Sequence, residues 1–231
     1  MFLLDFFKKK DFKKVLSLDG GGVRALAAVI FLKQLEKETG RSVFDTFDFF
    51  MGVSAGGLNA LHFTINKTSA EKLEDFWTND NLAMSMQKSF WGQAIFLNSK
   101  PKYNNESRTA LLRDYFENKL IAHSDKPVSV LAYDVEKRKP RLISSYDDSN
   151  ISVISAINAT SAAPLYYPTV KIEDGSWLID GGVVANNPSL IGYNEARNYF
   201  KTSNIKVFSI GTGINSKGLD GKSSAEWGPI G

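Results

Sequence analysis

The sequence predicts a single three-layer α/β/α domain, in which helices cover both faces of a mostly parallel sheet. Short apolar runs alternate with segments whose apolar residues recur at helical spacing. This order is typical of parallel strands that are connected through helices. A chain of 231 residues is long enough for one such domain with a large core. Its apolar fraction of 43% and charged fraction of 23% are ordinary for globular proteins.

The strands are predicted from short apolar runs that end at glycine, aspartate or another turn-forming residue. They lie at residues 14–18, 48–52, 127–135, 141–146, 169–172, 177–179 and 205–210. The helices are predicted from apolar residues at helical spacing. They lie at residues 23–38, 55–65, 69–77, 107–119, 151–159 and 188–200. Pro188 suits the first turn of the last helix, where a missing N–H group is no loss.

Residues 79–107 show no clear period and are predicted to be irregular, although they are rich in large apolar groups. These groups include Phe90, Trp91, Ile95, Phe96 and Leu97. Two interpretations remain open for them, a lid or membrane-facing rim on the one hand and core packing beneath a loop on the other. Met84 and Met86 suit either an adaptable apolar pocket or the core.

Residues 14–213 form the predicted domain, between a basic and apolar lead-in at residues 1–13 and a loop-like end at residues 214–231. That end is abrupt, which is compatible with a longer native chain. Residues 1–14 hold five lysines against two aspartates and so carry the whole net charge of +3. The lead-in is either a solvated approach to the first strand or a contact with an anionic membrane, worth roughly 1 kcal/mol per lysine.

The composition excludes several classes of protein. There is no cysteine, which rules out disulfides and thiolate metal sites. No apolar run approaches the ~18 residues that a transmembrane helix needs, and the first seven residues are too short and too broken for a secretory signal. We therefore expect a cytoplasmic or peripheral membrane protein, with secretion by another route left open. A nucleic-acid partner is not expected, because no basic stripe or zinc spacing is present.

Three consecutive glycines, Gly20, Gly21 and Gly22, join the first predicted strand to the first helix. They let the backbone turn tightly and present several N–H groups to one point beside a helix N-terminus, which makes an anion site. The anion is either the pyrophosphate of a dinucleotide or the oxyanion of an acyl-transfer intermediate. The first alternative, an oxidoreductase, rests on the weak fingerprint Gly20-x-Gly22-x-x-Ala25 and leaves a nearby serine unexplained.

That serine is Ser54, which stands between Gly52 and Gly56 in a Gly-x-Ser-x-Gly motif. The motif marks a sharp strand-to-helix turn that holds a nucleophilic hydroxyl up and exposed. In α/β-hydrolases a histidine follows later in the chain and acts as the base. Here the histidines are His62 and His123, and His62 is predicted to point away from the turn on the following helix. The base for Ser54 is therefore expected to be another residue.

Asp180 is the candidate for that base. It ends a predicted strand and is followed by Gly181 and Gly182, which leave room for another group to approach. An aspartate beside Ser54 could take its proton directly. Because aspartate is a poor base at its ordinary pKa near ~4, such a site needs strong oxyanion stabilisation, and a triple-glycine loop supplies it. Taken alone, Asp-Gly-Gly is only a turn signal.

These three motifs, in this order, resemble the patatin-like phospholipase family. The family pattern is Asp-Gly-Gly-Gly-x-Arg-Gly, then Gly-x-Ser-x-Gly, then Asp-Gly-Gly/Ala. The chain matches it at residues 19–24, 52–56 and 180–182. The one departure is Ala25, where the family usually has glycine, and a small residue at a helix start still packs closely. Weaker similarity at residues 159–164 and 208–213 extends the resemblance over most of the chain.

The resemblance implies a patatin-like fold and hydrolysis of fatty-acyl esters, chiefly of phospholipids, through an acyl-serine intermediate. Ser54 would be the nucleophile and Asp180 its base. The implied oxyanion hole consists of the backbone N–H groups of Gly20, Gly21 and Gly22, with Arg24 supporting that loop. No metal or other cofactor is implied, and the neighbouring Asp147 and Asp148 are interpreted as a solvated turn. The expected partners are an acyl-lipid substrate and, transiently, a membrane surface.

Two further alternatives stay open at this point. A catalytically silent relative would use the same fold as a binding module, although all three motifs are intact. Within the enzyme class, the sequence does not separate a phospholipase from a general esterase or a thioesterase.

Overall fold

A computed structural model of the chain describes residues 11–88 and 100–214. Seven strands form one sheet in this part of the chain. They are β1 (Lys13–Leu18), β2 (Phe49–Val53), β3 (Val128–Asp134), β4 (Lys139–Ser144), β5 (Val170–Lys171), β6 (Trp177–Asp180) and β7 (Ile205–Ile210). All seven were predicted from the sequence, with bounds that differ by two residues at most.

The sheet is mixed. Its order is β5-β6-β3-β2-β1-β7, and β4 pairs with β3 outside this path. The pairs β1–β2, β1–β7 and β2–β3 are parallel, while β3–β4, β3–β6 and β5–β6 are antiparallel. The predicted α/β class is confirmed, but the sheet is mixed and not mostly parallel, since three of the six strand pairs are antiparallel. The parallel pairs include β1 and β2, the strands that lead into the glycine loop and the serine turn.

Strand β3 brings the C-terminal ends of β2 and β6 together. Its residues 129–134 pair with β4, so β2 and β6 both pair along its other edge. They run in opposite directions and meet end to end, with Val53 opposite Leu131 and Asp180 opposite the next residue, Ala132. The residue that follows β2 and the last residue of β6 are therefore neighbours, although 126 positions separate them in the sequence.

Nine α-helices and two 3-10 turns lie among the described residues. The helices are α1 (Leu26–Thr39), α2 (Val43–Thr46), α3 (Ala55–Ile65), α4 (Ala70–Phe76), α5 (Asn79–Ser85), α6 (Glu106–Phe116), α7 (Val153–Thr160), α8 (Gly182–Ala185) and α9 (Ser189–Phe200). The 3-10 turns are Gly22–Ala25, directly before α1, and Ile121–His123.

The core has two parts, one on each face of the sheet, because successive strand residues point to opposite faces. Leu16, Leu18 and Phe50 belong to the larger part, which also contains buried residues of α1, α3 and α7. Val15 and Met51 belong to the smaller part, which α9 covers. Helices on both faces make the three layers that the sequence predicts.

Several details differ from the sequence-based prediction. Helices α2, α5 and α8 were not predicted, since α2 and α8 have only four residues each and α5 is short and mostly polar. The first turn after the glycines is a 3-10 turn, and α1 begins three residues later than expected. Pro188 precedes α9 and does not lie in its first turn.

Parts of the prediction fall outside the described residues. These are most of the lead-in, the aromatic group from Phe90 to Leu97, and almost all of the C-terminal end. None of the described helices has the length and hydropathy of a bilayer-spanning segment.

Candidate active site

Ser54 lies in the sharp turn between β2 and α3. Its backbone has φ 55° and ψ −129°, a conformation that residues with a side chain rarely adopt. Such strain costs on the order of 1–3 kcal/mol and persists only where the surrounding structure enforces it. Two contacts hold the turn: the N–H group of Ser54 donates to Thr160 Oγ1 at 3.0 Å, and its carbonyl accepts from the N–H of Leu58.

The two glycines of the serine motif are required by close packing. A Cβ on Gly52 would lie 2.6 Å from the carbonyl oxygen of Gly56, and one on Gly56 would lie 2.4 Å from the carbonyl oxygen of Leu18. Both contacts are with backbone, which cannot move aside as a long side chain can. The turn is therefore fixed between the ends of β1 and β2, and it holds the Ser54 hydroxyl in one place.

Asp180, the last residue of β6, contacts that hydroxyl. Ser54 Oγ donates to Asp180 Oδ2 at 2.7 Å, and the N–H of Gly182 donates to Oδ1 at 2.7 Å. The side chain is 6% exposed. Burial raises the pKa of this carboxyl above its ordinary value, and the two hydrogen bonds and the positive charge of Arg108 oppose the rise. The result is a carboxylate that is more basic than a solvated aspartate.

The end of α7 connects both members of this pair. Besides binding the N–H of Ser54, the hydroxyl of Thr160 donates to the carbonyl of Leu131 in β3. The carbonyl of Thr160 accepts from Gly181 N–H at 3.4 Å, and the carbonyl of Ala162 accepts from Asp180 N–H at 3.0 Å. One short segment thus fixes the backbone on both sides of the Ser54–Asp180 hydrogen bond.

Arg108, on α6, holds that segment in turn. Its guanidinium donates to the carbonyl and hydroxyl of Ser161, each at 3.1 Å, and to the carbonyl of Asn158. It also stacks on the ring of Tyr167, 3.9 Å from the centroid. Burial lowers the pKa of Arg108 to about 10, so the group still carries its charge at neutral pH. The sequence analysis missed Arg108, since its contacts join residues about 50 positions apart and no local motif marks them.

The glycine loop lies directly against Ser54. A Cβ on Gly20 would meet the Cβ of Ser54 at 3.2 Å. The N–H of Gly20 is already donated to the carbonyl of Asn186 at 3.1 Å. The N–H groups of Gly21 and Gly22, in contrast, have no acceptor among the described residues. Of the three predicted oxyanion donors, these two are the ones that remain available to a ligand.

Two side chains that the sequence analysis did not single out support this loop. Asn186 Nδ2 and Thr212 Oγ1 both donate to the carbonyl of Gly20, each at 3.1 Å. The close approach of Thr212 also explains Gly21, where a Cβ would lie 2.3 Å from the threonine hydroxyl. Asn186 lies six residues after Asp180, and Thr212 belongs to the Gly-Thr-Gly block, which was the signal that could have identified it.

The charged residues of the first motif have different surroundings. Asp19 is partly buried and accepts a hydrogen bond from Asn187 at 3.2 Å, and burial raises the pKa of its carboxyl. Arg24 is exposed and lines the adjoining cavity. Its side chain makes no hydrogen bond to another described residue, so any support that it gives the loop acts through charge.

A cavity of about 620 Å³ adjoins Ser54 and the glycine loop. Its walls are mainly apolar, and they include Leu58, Phe76, Trp77, Leu82, Leu111 and Leu112. Met86 lines it, whereas Met84 does not and is 40% exposed. Arg108 is the buried cation of this wall. An apolar cavity of this size next to a nucleophilic hydroxyl suits a fatty-acyl chain better than a polar substrate.

The two histidines lie elsewhere. His62 is buried on the far side of α3 between the rings of Phe76, Tyr115 and Phe116, 4.5–5.6 Å away. Burial lowers its pKa to about 3. His123 Nδ1 accepts the N–H of Leu120 at 3.2 Å in the second 3-10 turn.

The acidic pair Asp147 and Asp148 is not simply a solvated turn, because Asp148 forms an ion pair with Arg141 and accepts the N–H of Ser144. No group of three metal-ligating side chains occurs within residues 11–88 and 100–214.

Comparison with known proteins places this geometry in context. The profile of the family described as Patatin-like phospholipase matches residues 16–191. Patatin-like protein 4 of Arabidopsis thaliana is 32% identical over 205 residues, which cover 77% of this chain and 50% of that protein. A cGAMP-activated phospholipase of Vibrio cholerae is 28% identical over 247 residues, covering 93% of this chain and 69% of that protein.

The chain thus spans about half the length of the Arabidopsis relative. Among solved structures, VipD from Legionella pneumophila aligns with a TM-score of 0.47 at 13% identity, covering 76% of this chain and 47% of VipD.

Proposed function

The chain belongs to the patatin-like phospholipase family, and from this premise we propose that it is a lipid acyl hydrolase that uses a Ser54–Asp180 dyad. One observation carries the proposal. The Ser54 hydroxyl, held in a strained turn at the wall of an apolar cavity, donates a 2.7 Å hydrogen bond to the buried carboxylate of Asp180. The substrate class is a fatty-acyl ester of a phospholipid or another lipid.

In the first step, Ser54 Oγ attacks the ester carbonyl carbon as its proton moves to Asp180 Oδ2. The carbonyl oxygen becomes an oxyanion, which accepts hydrogen bonds from the free N–H groups of Gly21 and Gly22, two residues that line the cavity with Ser54. When the intermediate collapses, the C–O bond to the alcohol breaks, and the leaving alkoxide takes the proton from Asp180. The products of this half-reaction are the free alcohol or lysolipid and an acyl group on Ser54.

The second half-reaction repeats these roles with water. Asp180 accepts a proton from water as its oxygen attacks the acyl carbonyl, and the same N–H groups bind the second oxyanion. Collapse breaks the bond to Ser54 Oγ, which recovers its proton from Asp180. The net reaction converts an ester and water into a fatty acid and an alcohol, and it involves no oxidation and no group other than those named.

The surroundings of Asp180 compensate for the weakness of a carboxylate base. Its burial, which raises the pKa, makes the carboxylate a better proton acceptor, while the hydrogen bonds from Ser54 and Gly182 and the charge of Arg108 oppose that rise. Removal of one oxyanion donor costs about 3–4 kcal/mol in enzymes of comparable design. The oxyanion donors of the glycine loop and the raised pKa of Asp180 therefore together replace the histidine of a triad.

The dinucleotide alternative has little support. In a dinucleotide fold, the strand after the glycine loop ends in an acidic residue that binds the ribose. Strand β2 occupies that position, next to β1, and leads directly into Ser54. The silent-module alternative is also disfavoured, because Ser54 and the two glycines with free N–H groups line one cavity, and the Asp180 carboxylate lies 2.7 Å from the Ser54 hydroxyl.

The proposal is tested by covalent labelling and product release. Wild-type protein should react with a fluorophosphonate probe at one serine and release fatty acid from phospholipid vesicles. Ser54→Ala should abolish both signals, whereas His123→Ala, a change at an exposed histidine, should preserve them. Fatty-acid release by Ser54→Ala at the wild-type rate would refute the assignment. Defined phospholipids and acyl thioesters as substrates then separate a phospholipase from a thioesterase.

A further inference from the structure

Leu165, whose neighbours Ala163, Tyr166 and Tyr167 line the cavity, has an exposure and a backbone conformation that are unfavourable for leucine. Leu165 is 86% exposed, and its backbone has φ 72°. Leucine loses hydrophobic stabilisation when it is exposed, and a bulky residue at positive φ is a conformational outlier. Glycine or asparagine would suit this turn better on both counts. An unfavourable residue at a defined position is an indication of function.

The segment that presents Leu165 is firmly held. We call residues 163–167 the Leu165 turn. The N–H groups of Tyr166 and Tyr167 both donate to the carbonyl of Ala163, and the carbonyl of Leu165 accepts from Lys102 N–H at 3.0 Å. The hydroxyl of Tyr167 donates to Ser85 in α5, and its ring lies on Arg108. The exposed leucine thus projects from a rigid support, as an anchor must.

The neighbours of Leu165 are those of a lipid interface. Tyr166 is half exposed and lines the cavity, as does Val23 from the glycine loop. The ammonium group of Lys102 lies 5.7 Å from the ring centre of Tyr166. Apolar groups at the tip, with tyrosine and lysine beside them, match the order of layers in a membrane surface, where aromatic rings and lysine ammonium groups lie at headgroup level.

We propose that the Leu165 turn is the membrane contact of the enzyme, with Leu165 inserted among the acyl chains and Lys102 placed at anionic headgroups. This inference rests on the proposed hydrolysis of lipids, because it places the cavity mouth against the bilayer that holds the substrate. A lipid molecule could then move from the bilayer along Tyr166 and Val23 to Ser54 without its acyl chain crossing water. The occupant of this surface is therefore a lipid bilayer that carries anionic headgroups.

The test measures vesicle binding separately from catalysis. Wild-type protein should float with vesicles of phosphatidylcholine and phosphatidylglycerol, and less with phosphatidylcholine alone. Leu165→Asn should weaken binding by about tenfold, as expected for the loss of one inserted aliphatic side chain. The same variant should unfold at a temperature no lower than wild type, because asparagine tolerates positive φ. Loss of binding without loss of stability distinguishes an anchor from a structural residue.

A matched control is Ile30→Asn, which removes an aliphatic group that is 50% exposed on α1, where neither Ile30 nor its neighbours Val29 and Phe31 line the cavity. Its binding should equal that of wild type. Vesicle binding by Leu165→Asn at wild-type strength would overturn the proposal. If that variant instead loses self-association in sedimentation, the surface contacts protein and the lipid proposal is wrong. Hydrolysis of a water-dispersed short-chain ester, measured in parallel, shows separately whether the proposed chemistry stands.

Discussion

The surroundings of Asp180 and of His62 show two ways of burying an ionisable side chain. The two side chains are similarly inaccessible, 6% and 2% exposed. Asp180 has a hydrogen-bond partner on each oxygen and a cation nearby. His62 is surrounded by aromatic rings, and its Nε2 has no partner among the described residues. Burial alone therefore does not identify a candidate base, whereas burial beside a serine hydroxyl and a cation does.

The contrast also explains why the proposed dyad contains no histidine although the chain has two. His62 is on the helix that begins directly after Ser54, but it faces the core between α4 and α6. With its pKa lowered to about 3, it is neutral at physiological pH. A neutral imidazole without polar neighbours packs as an apolar ring. The carboxylate has the polar partners that proton transfer requires.

The largest expected effect is the loss of activity in Asp180→Asn, which tests whether Asp180 and His62 differ in function. Asp180→Asn should lower the rate of fatty-acid release by about 10²–10⁴-fold, the usual contribution of a general base, because an amide cannot accept the serine proton. His62→Leu should retain the wild-type rate per folded molecule. Steady-state kinetics on a short-chain ester measures both variants. A rate loss in the histidine variant that matched the aspartate variant would contradict the proposed dyad.

A smaller effect concerns acid stability. The pKa of His62 is about 3 in the folded protein and near 6.5 when unfolded, so the unfolded chain binds the extra proton between these values. The contribution of His62 is therefore complete above pH 6.5 and lost as the pH falls, by roughly 3 kcal/mol between pH 6.5 and 4. Urea unfolding should show that His62→Leu reduces this loss.

The matching control for acid stability is Phe116→Leu, which changes a ring packed against His62 without removing a titratable group, so the pH dependence of stability should stay as in wild type. An acid sensitivity of His62→Leu equal to that of wild type would assign the loss to other groups.

The smallest expected effect is the pH dependence of stability that Asp180 causes, which should have the opposite sign to that of His62. Its pKa is raised on folding, so its contribution is complete below the ordinary value of 3.8 and lost as the pH rises through the folded-state pKa. Asp180→Asn should then raise the Tm at pH 8, because the amide carries no charge that burial disfavours, and the gain should vanish at pH 3.5. Thermal melts at both pH values test this, and a lower Tm at pH 8 would contradict it.

The sequence predicted those parts of the fold that depend on local signals. Glycines at sharp turns and short apolar runs located β1, β2 and the serine turn, because these features are determined within a few residues. Helix α5 was missed, since its apolar content is low and its only start signal is Thr78, whose hydroxyl caps the N–H of Asn81. Such a cap is common in loops too, so it does not identify a helix alone.

The site was predicted in its chemistry but not in its supports. Ser54, Asp180 and the glycines stand in recognisable motifs, and their roles stay predictions until tested. Thr160 and Arg108 hold these groups through contacts across 29 to 106 positions of sequence. The antiparallel pairing of β6 with β3 was not predicted for the same reason, since no local sequence pattern indicates which strands pair. Long-range contacts of this kind need the assembled fold.

The meeting of β2 and β6 on one edge of β3 has a consequence for biosynthesis. A chain that has folded only as far as the serine turn has no carboxylate beside Ser54. Asp180 lies 126 positions later, and the chain between them must be closed into a loop before the two can meet. Contacts of such high sequence separation form late, after the chain has adopted its overall topology. Under the proposed mechanism, a nascent chain in which β6 has not yet been synthesised cannot hydrolyse lipids. The membranes of the cell that makes the protein are therefore not hydrolysed before folding is complete.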